Sequence, residues 1–160
     1  TSERQIDVQK LPRRSEYLVS QEHPVVSYAL SFKTQCASLG IVSSLANGID
    51  IPQRTLVSQG RIEGDKGEKK SFRLIAGQNT AEWAFDFSDI RQRVRHGLPQ
   101  QVYRRWTVQR SEDVIEVAQN YLHLVRFDAP FPPVRIILEF VPPPVTDNLE
   151  VALDRIICYE

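Results

Sequence analysis

The chain contains 160 residues, a length that suits one domain with a hydrophobic core of its own. Hydrophobic residues make up 41% of it and charged residues 25%, which is ordinary for a globular protein and excludes a disordered chain. Twenty basic and twenty acidic side chains cancel, so the sequence gives no strong signal for nucleic-acid binding. No apolar run approaches the roughly 20 residues of a membrane-spanning helix.

The first 22 residues differ in composition and apolar pattern from the rest of the chain. They are polar, show no sustained apolar period and are interrupted at Pro12, which predicts a linker or an edge segment. Residues 23–160 are predicted to form a single domain. Because the chain starts at Thr1 and contains no methionine, we expect a processed product or a part of a larger protein. For that parent we expect an extracytoplasmic or membrane-anchored protein.

Strand-like segments follow at short intervals. Residues 25–32 alternate between apolar and other side chains, and residues 39–45 end at Asn47-Gly48, which favours a tight turn. Residues 54–62 and 70–75 flank a Gly-Asp-x-Gly loop and predict a β-hairpin. Further strands are predicted at residues 81–85, 121–127, 134–141 and 149–159.

One short helix is predicted near residues 89–96. Ser88 suits the N-cap position, Asp89 suits the positive end of the helix dipole, and Gly97 is a good stop residue. Residues 112–118 form a second helical candidate, which is weaker because several of its side chains are β-branched.

The number of strands defines the fold class. Seven to nine short strands without long crossover helices predict an all-β fold, an antiparallel β-sandwich or barrel, of which we favour the β-sandwich. In size, in strand number and in the closing run at residues 149–156, where an acidic residue precedes a short apolar pair, the chain resembles galactose-binding-like jelly-roll domains. Many carbohydrate-binding modules share that architecture. The resemblance implies a jelly-roll-like sandwich with a sugar ligand held by aromatic side chains.

The two cysteines, Cys36 and Cys158, allow two interpretations. If the first and last strands are neighbours, the thiols pair and close a loop that stabilises the fold by about 4 kcal/mol in the chain-entropy model. Otherwise they are two separate buried thiols that behave as small hydrophobic groups. The three histidines and the acidic residues lack ligand spacing, so the sequence predicts no metal and no cofactor.

The strongest candidate binding segment is residues 91–110. It contains six arginines with no acidic residue between them: Arg91, Arg93, Arg95, Arg104, Arg105 and Arg110. Arginine forks match pairs of carboxylate, sulfate or phosphate oxygens, and aromatic rings offer an apolar surface to a sugar ring. The predicted ligand-binding residues are Arg95, Tyr103, Arg104, Arg105 and Trp106. The alternative is a solvated surface whose arginines pair with acidic neighbours.

The remaining features of the sequence predict no catalytic site. Trp83 alternates with Phe85 and is predicted to lie in the core. No nucleophile elbow, phosphate-binding loop or zinc-protease motif is present, so no catalytic residue is predicted. We therefore predict a non-catalytic accessory domain of a larger protein that binds carbohydrate, with acidic polysaccharide or another anionic ligand as its partner. The alternative is a structural or protein–protein interaction module that packs on its parent or on a homo-oligomeric partner.

Overall fold

The computed structural model describes residues 4–143 and 148–160. The strands found in these residues are β1 Gln5–Lys10, β2 Val25–Ala29, β3 Cys36–Ala46, β4 Leu56–Gly64, β5 Lys69–Ile75, β6 Val102–Ser111, β7 Val114–Phe131, β8 Pro133–Phe140 and β9 Glu150–Tyr159. A single turn of 3-10 helix lies at Ser15–Tyr17. The predicted all-β fold is confirmed.

The strands form two antiparallel sheets. Sheet A has the order β1-β9-β3-β7-β6 and curls into a half-barrel, and sheet B has the order β2-β8-β4-β5. The strand pairs are nested along the chain, because β1 pairs with β9, β2 with β8, β3 with β7, and β4 with β5. Strand β6 is an addition at the edge of sheet A, beside β7. The architecture is that of a sandwich.

The hydrophobic core lies between the two sheets. Sheet A contributes Leu39 and Ile41 from β3, and sheet B contributes Ile62, Ile136 and Leu138, all of them fully buried. Each such side chain stabilises the fold by roughly 1.5–3 kcal/mol relative to an exposed one. The alternating pattern predicted the hairpin of β4 and β5 correctly, since their side chains pair across the sheet as expected.

Glycine at position 60 is required by this packing. A Cβ atom there would lie 2.2 Å from the carbonyl oxygen of Ile137 and 2.8 Å from the ring of Phe72. The missing side chain lets the phenylalanine ring cover the backbone of β4.

The disulfide alternative for the two cysteines is the correct one. Cys36 begins β3 and Cys158 lies near the end of β9, its neighbour in sheet A, and the two Cα atoms are 5.4 Å apart. That separation is typical of a disulfide. In the same region β1 extends sheet A at its edge, so residues 5–10 form an edge strand.

The predicted helix near residues 89–96 is wrong, and the described residues contain no α-helix. Residues 88–93 form consecutive turns instead. Ser88 does not cap a helix, because its hydroxyl donates to Glu116 Oε1 of β7 at 2.6 Å. Asp89 forms an ion pair with Arg110 of β6. A segment this short gains little from helical hydrogen bonds alone, so its contacts with sheet A decide the conformation.

The second helical candidate, residues 112–118, is also not helical. Val114 begins β7, and the preceding two residues turn the chain between β6 and β7. β-branched side chains fit this extended conformation better than a helix. Within the described residues, no helix has the length and apolar character needed to cross a membrane.

The path from β5 to β7 places the candidate site. Residues 76–113 leave sheet B and pass to the face of sheet A that points away from it, which we call the outer face. On the way, residues 81–83 insert between β3 and β7: Leu45 N–H donates to the Ala81 carbonyl at 2.8 Å, and Gln119 N–H donates to the Trp83 carbonyl at 3.0 Å. The chain then turns and adds β6 to the edge of the sheet.

Candidate functional site

A second, smaller apolar cluster covers one end of the outer face of sheet A. Its buried members are Ala84, Phe87 and Ala118, and partly buried apolar side chains of Trp83, Ile90, Trp106 and Val108 pack against them. Side chains alternate along a strand, so Ala118 points away from the core that contains Val125. The cluster is therefore separate from the main core, and residues 76–113 supply most of it.

Two tryptophans of this cluster line one pocket of about 180 Å³, which we call the Trp83–Trp106 pocket. Trp83 belongs to residues 81–83, the segment inserted between β3 and β7, and Trp106 comes from the middle of β6. The remaining wall residues are Pro12, Arg13, Leu18, Ser44, Asn120, Ala152, Leu153 and Asp154. The wall thus combines two indole rings with aliphatic surface and a small set of polar groups, the composition that small-molecule sites share.

The polar wall of the pocket is a connected ion-pair network. Asp154 of β9 forms an ion pair with Arg13, and it accepts a hydrogen bond from Arg155 Nε at 2.7 Å. Burial alone would raise the pKa of Asp154, but hydrogen bonds from Arg155 and Arg13 outweigh it and hold the pKa below its usual value. Asp154 is therefore ionised at neutral pH and offers acceptor oxygens, while Arg13 offers donors.

Asn120 supplies a further polar group, and one of its atoms has no partner. Four buried side-chain atoms lack a hydrogen-bond partner within residues 4–143 and 148–160, and we call these atoms unsatisfied: Ser38 Oγ, Glu82 Oε2, Gln119 Nε2 and Asn120 Oδ1. Asn120 is only 3% exposed. An unsatisfied buried group costs about 1–3 kcal/mol, which is why most such groups in folded proteins are paired. The unsatisfied oxygen belongs to a residue of the pocket wall.

The five predicted ligand-binding residues do not form one site. Trp106 lines the Trp83–Trp106 pocket. Arg104 is exposed and lies opposite Asn120 in the pairing of β6 with β7, so it borders the pocket on the Trp106 side. Arg105 points to the opposite face, where its Nε donates to Gln119 Oε1 at 3.0 Å.

The other two predicted residues lie outside the pocket wall. Tyr103 is partly buried, and the guanidinium of Arg155 stands 5.6 Å from the centre of its ring. Through Arg155, Tyr103 connects to Asp154 of the pocket. Arg95 is exposed in the loop before β6, where its backbone N–H donates to the Ile49 carbonyl at 3.0 Å.

The alternative interpretation of the arginines holds for two of them. Arg110 forms an ion pair with Asp89, and Arg91 lies 3.9 Å from Asp86. The first pair connects the turns at residues 86–93 to β6, and the second lies within these turns. These two arginines therefore have structural partners.

Sequence reasoning missed most of the pocket. Trp83 was assigned to the core, whereas it is partly buried and lines the pocket. Arg13 comes from the segment predicted as a linker or edge. One signal was present: Gln119-Asn120 is a polar pair inside the apolar run of β7, where amide side chains are unusual.

No group of three or more histidine, cysteine, aspartate or glutamate residues in the described part of the chain is arranged to hold a metal ion. Comparison with protein-family models, curated proteins and solved structures finds no match for this chain. Its function is therefore argued from the geometry above.

Proposed function

We propose that the protein is a carbohydrate-binding domain that holds one sugar ring of a glycan in the Trp83–Trp106 pocket. One observation carries the proposal: two tryptophans line a single pocket together with Asn120, whose buried Oδ1 is unsatisfied. Indole rings cover the apolar C–H surface of a sugar, and the amide oxygen accepts a hydrogen bond from a hydroxyl group. The ion-paired Asp154 and Arg13 add an acceptor and donors for neighbouring hydroxyls.

The size of the pocket limits the bound part of the ligand. Its volume of about 180 Å³ is below the roughly 300–1,000 Å³ of sites for drug-sized molecules. A single ring fits this space, so the pocket suits a terminal residue of a glycan. Arg104 borders the pocket and is exposed, which favours a glycan with a carboxylate or sulfate group on or next to that ring.

The strand order supports a jelly-roll description. Nested antiparallel pairs that alternate between two sheets are what results when a long antiparallel ribbon is rolled up, and the pairs β1–β9, β2–β8, β3–β7 and β4–β5 follow this pattern. Jelly rolls include lectin domains. Strand β6 and residues 81–83 lie outside these nested pairs, and both contribute residues to the pocket wall.

The disulfide supports a location outside the cytoplasm. Cys36 and Cys158 are paired, and disulfides persist mainly in secreted, periplasmic or surface proteins. Membrane anchoring, a role as accessory domain of a larger protein and the lack of catalytic activity stay predictions.

The test is a glycan-array screen of the purified protein at low and physiological salt. We expect binding to a set of acidic glycans, at least a tenfold loss in the Trp106→Ala variant, and a loss of salt sensitivity in Arg104→Ala. Arg93→Ala is the matched control, since Arg93 belongs to the same stretch but not to the pocket wall. Equal binding by Trp106→Ala and the unchanged protein, or silence across the array, contradicts the proposal.

A second candidate function is favoured by the apolar end of the β6–β7 hairpin. Val114, Ile115 and Val117 are 42%, 63% and 37% exposed there. Adjacent exposed apolar side chains are typical of protein contacts. If the protein is an interaction module, it self-associates through this hairpin, and the Ile115→Lys variant is monomeric in sedimentation velocity while glycan binding is absent in both proteins.

A further inference from the structure

A second pocket lies on the other side of Trp83. Its volume is about 310 Å³, and we call it the Glu82 pocket. It is lined by Asn47, Ile49, Glu82, Trp83, Ala84, Phe87, Ile90, Val108 and Arg110. Most of this wall is aromatic or aliphatic, and the volume is at the lower end of the range for small-molecule sites.

The single carboxyl group of this wall is held rigidly. Glu82 is one of the lining residues and is only 2% exposed. Its backbone N–H donates to His96 Nε2 at 3.1 Å, and its carbonyl accepts a hydrogen bond from the Tyr121 hydroxyl at 2.9 Å. In the side chain, Oε1 accepts from Gly48 N–H at 2.7 Å.

The second carboxyl oxygen of Glu82 has no full hydrogen bond of its own. Glu82 Oε2 is unsatisfied within the described residues, although the backbone N–H groups of Trp83 and Ala84 are directed towards the carboxyl and lower its pKa. A carboxyl group that served only to bind the Gly48 N–H would be replaced at lower cost by an uncharged side chain, because burying a carboxylate is expensive. A buried carboxyl oxygen that lacks a full partner, in a residue of an apolar pocket wall, is a candidate acceptor for a polar group from outside the chain.

The electrostatics of the pocket favour an uncharged ligand. Burial raises the pKa of Glu82 to about 7, although backbone N–H groups led by that of Gly48 oppose the rise. The carboxyl therefore changes between its neutral and ionised forms near neutral pH, and it repels an anion when ionised. At the wall, the guanidinium of Arg110 stands 4.9 Å from the centre of the Phe87 ring, and its charge is compensated by the ion pair with Asp89, so it does not attract an anion strongly.

We propose that the Glu82 pocket is a second binding site, distinct from the Trp83–Trp106 pocket, for a compact uncharged ring that carries a hydroxyl group. The ring packs against Trp83, Phe87 and Val108, and its hydroxyl forms a hydrogen bond with Glu82 Oε2. A neutral carboxyl donates to the hydroxyl oxygen and an ionised carboxyl accepts from the hydroxyl, so both forms bind such a ligand.

Phenol and toluene are the probes, because they differ only in the hydroxyl and methyl groups. NMR spectra of the labelled protein are recorded during titration with each. We expect phenol to shift the Trp83 indole N–H and the methyl signals of Val108 and Ile90 saturably, with an affinity at least fivefold above that of toluene. Equal affinities for the two probes, shifts centred on Trp106, or no shifts overturn the proposal.

Two variants sharpen this test. Val108→Phe fills the pocket from a partly buried position and should abolish the phenol shifts, whereas Trp106→Ala should leave them unchanged. Glu82→Met should remove the preference for phenol over toluene. If Glu82→Met does not fold, the affinities of phenol and toluene for the unchanged protein and for Val108→Phe still test the proposal. Since phenol binding does not depend on Trp106, failure of this proposal and failure of the glycan proposal are separate results.

Discussion

The space between the sheets and the outer end of sheet A are built differently. Between the sheets, 25 buried residues form one apolar cluster. At the outer end the apolar cluster has only three buried residues, and two pockets lie beside it. The side chains at the outer end are therefore packed less closely than those between the sheets.

The two regions are built from different parts of the sequence. The nested strand pairs come from β1–β5 and β7–β9, while the pockets depend on residues 76–113, which are added between β5 and β7. Changes in the nested pairs should therefore lower stability strongly. Changes at the outer end should alter binding or pH dependence more than stability.

Removal of the disulfide should have the largest effect. In the double variant Cys36→Ala/Cys158→Ala the unfolded chain regains the freedom of a loop with 122 residues of sequence separation. For this separation the chain-entropy model gives a loss of about 5 kcal/mol in the free energy of unfolding, slightly more than the value of about 4 kcal/mol expected from the sequence. Urea denaturation of both proteins measures it, with the disulfide intact in the reference. A loss below about 1 kcal/mol would show that β3 and β9 are held together without the cross-link.

The free energy of unfolding should depend on pH through the buried carboxyl group of Glu82. Its pKa is raised to about 7 in the folded protein from 4.5, so the folded state binds more protons between these values. The protonated carboxyl therefore adds to the free energy of unfolding in full below pH 4.5. This contribution, about 3 kcal/mol in total, is lost as the pH rises through 7. We expect the unfolding free energy of Glu82→Gln minus that of the unchanged protein to rise by this amount between pH 4.5 and 7.5.

The histidines do not disturb this comparison. Burial lowers the pKa of both His96 and His123, so each contributes stability that is lost as the pH falls below the unfolded value of 6.5. That change runs in the opposite direction, and both proteins share it, so it cancels in the difference. Parallel curves for Glu82→Gln and the unchanged protein would place the Glu82 carboxyl in an ordinary, solvated environment.

A matched pair of valine truncations compares the two regions directly. Val57 is fully buried between the sheets, and Val108 is partly buried at the outer end. Val57→Ala should lower the free energy of unfolding by about 2–3 kcal/mol, because two methyl groups are lost and a cavity remains. Val108→Ala should cost about 1 kcal/mol, since the pocket is already open beside it. Equal losses in thermal and urea denaturation would contradict the division into a tight core and a looser outer end.

The sequence predicted the part of the molecule that follows local rules. Alternation with period two located β2, the β4–β5 hairpin and β9, because strand faces repeat every second residue. The helix near residues 89–96 was wrong because capping signals are local, while Ser88 and Asp89 bond to distant strands. The pocket was missed for the same reason: its walls come from residues as far apart as 12 and 154, and only the nested pairing of strands brings them together.

Asn120→Leu gives the smallest change in stability and the sharpest test of the comparison. The substitution removes an unsatisfied oxygen and adds apolar surface of similar size at a position that is 3% exposed. Replacing such a group by an apolar one is nearly neutral or stabilising, so the free energy of unfolding should stay within about 1 kcal/mol of the original or exceed it. Binding to the glycans found on the array should fall at least tenfold, because the acceptor for the sugar hydroxyl is gone. If stability falls by several kcal/mol instead, Asn120 belongs to the structural part of the fold, and the unsatisfied oxygen is no evidence for a ligand.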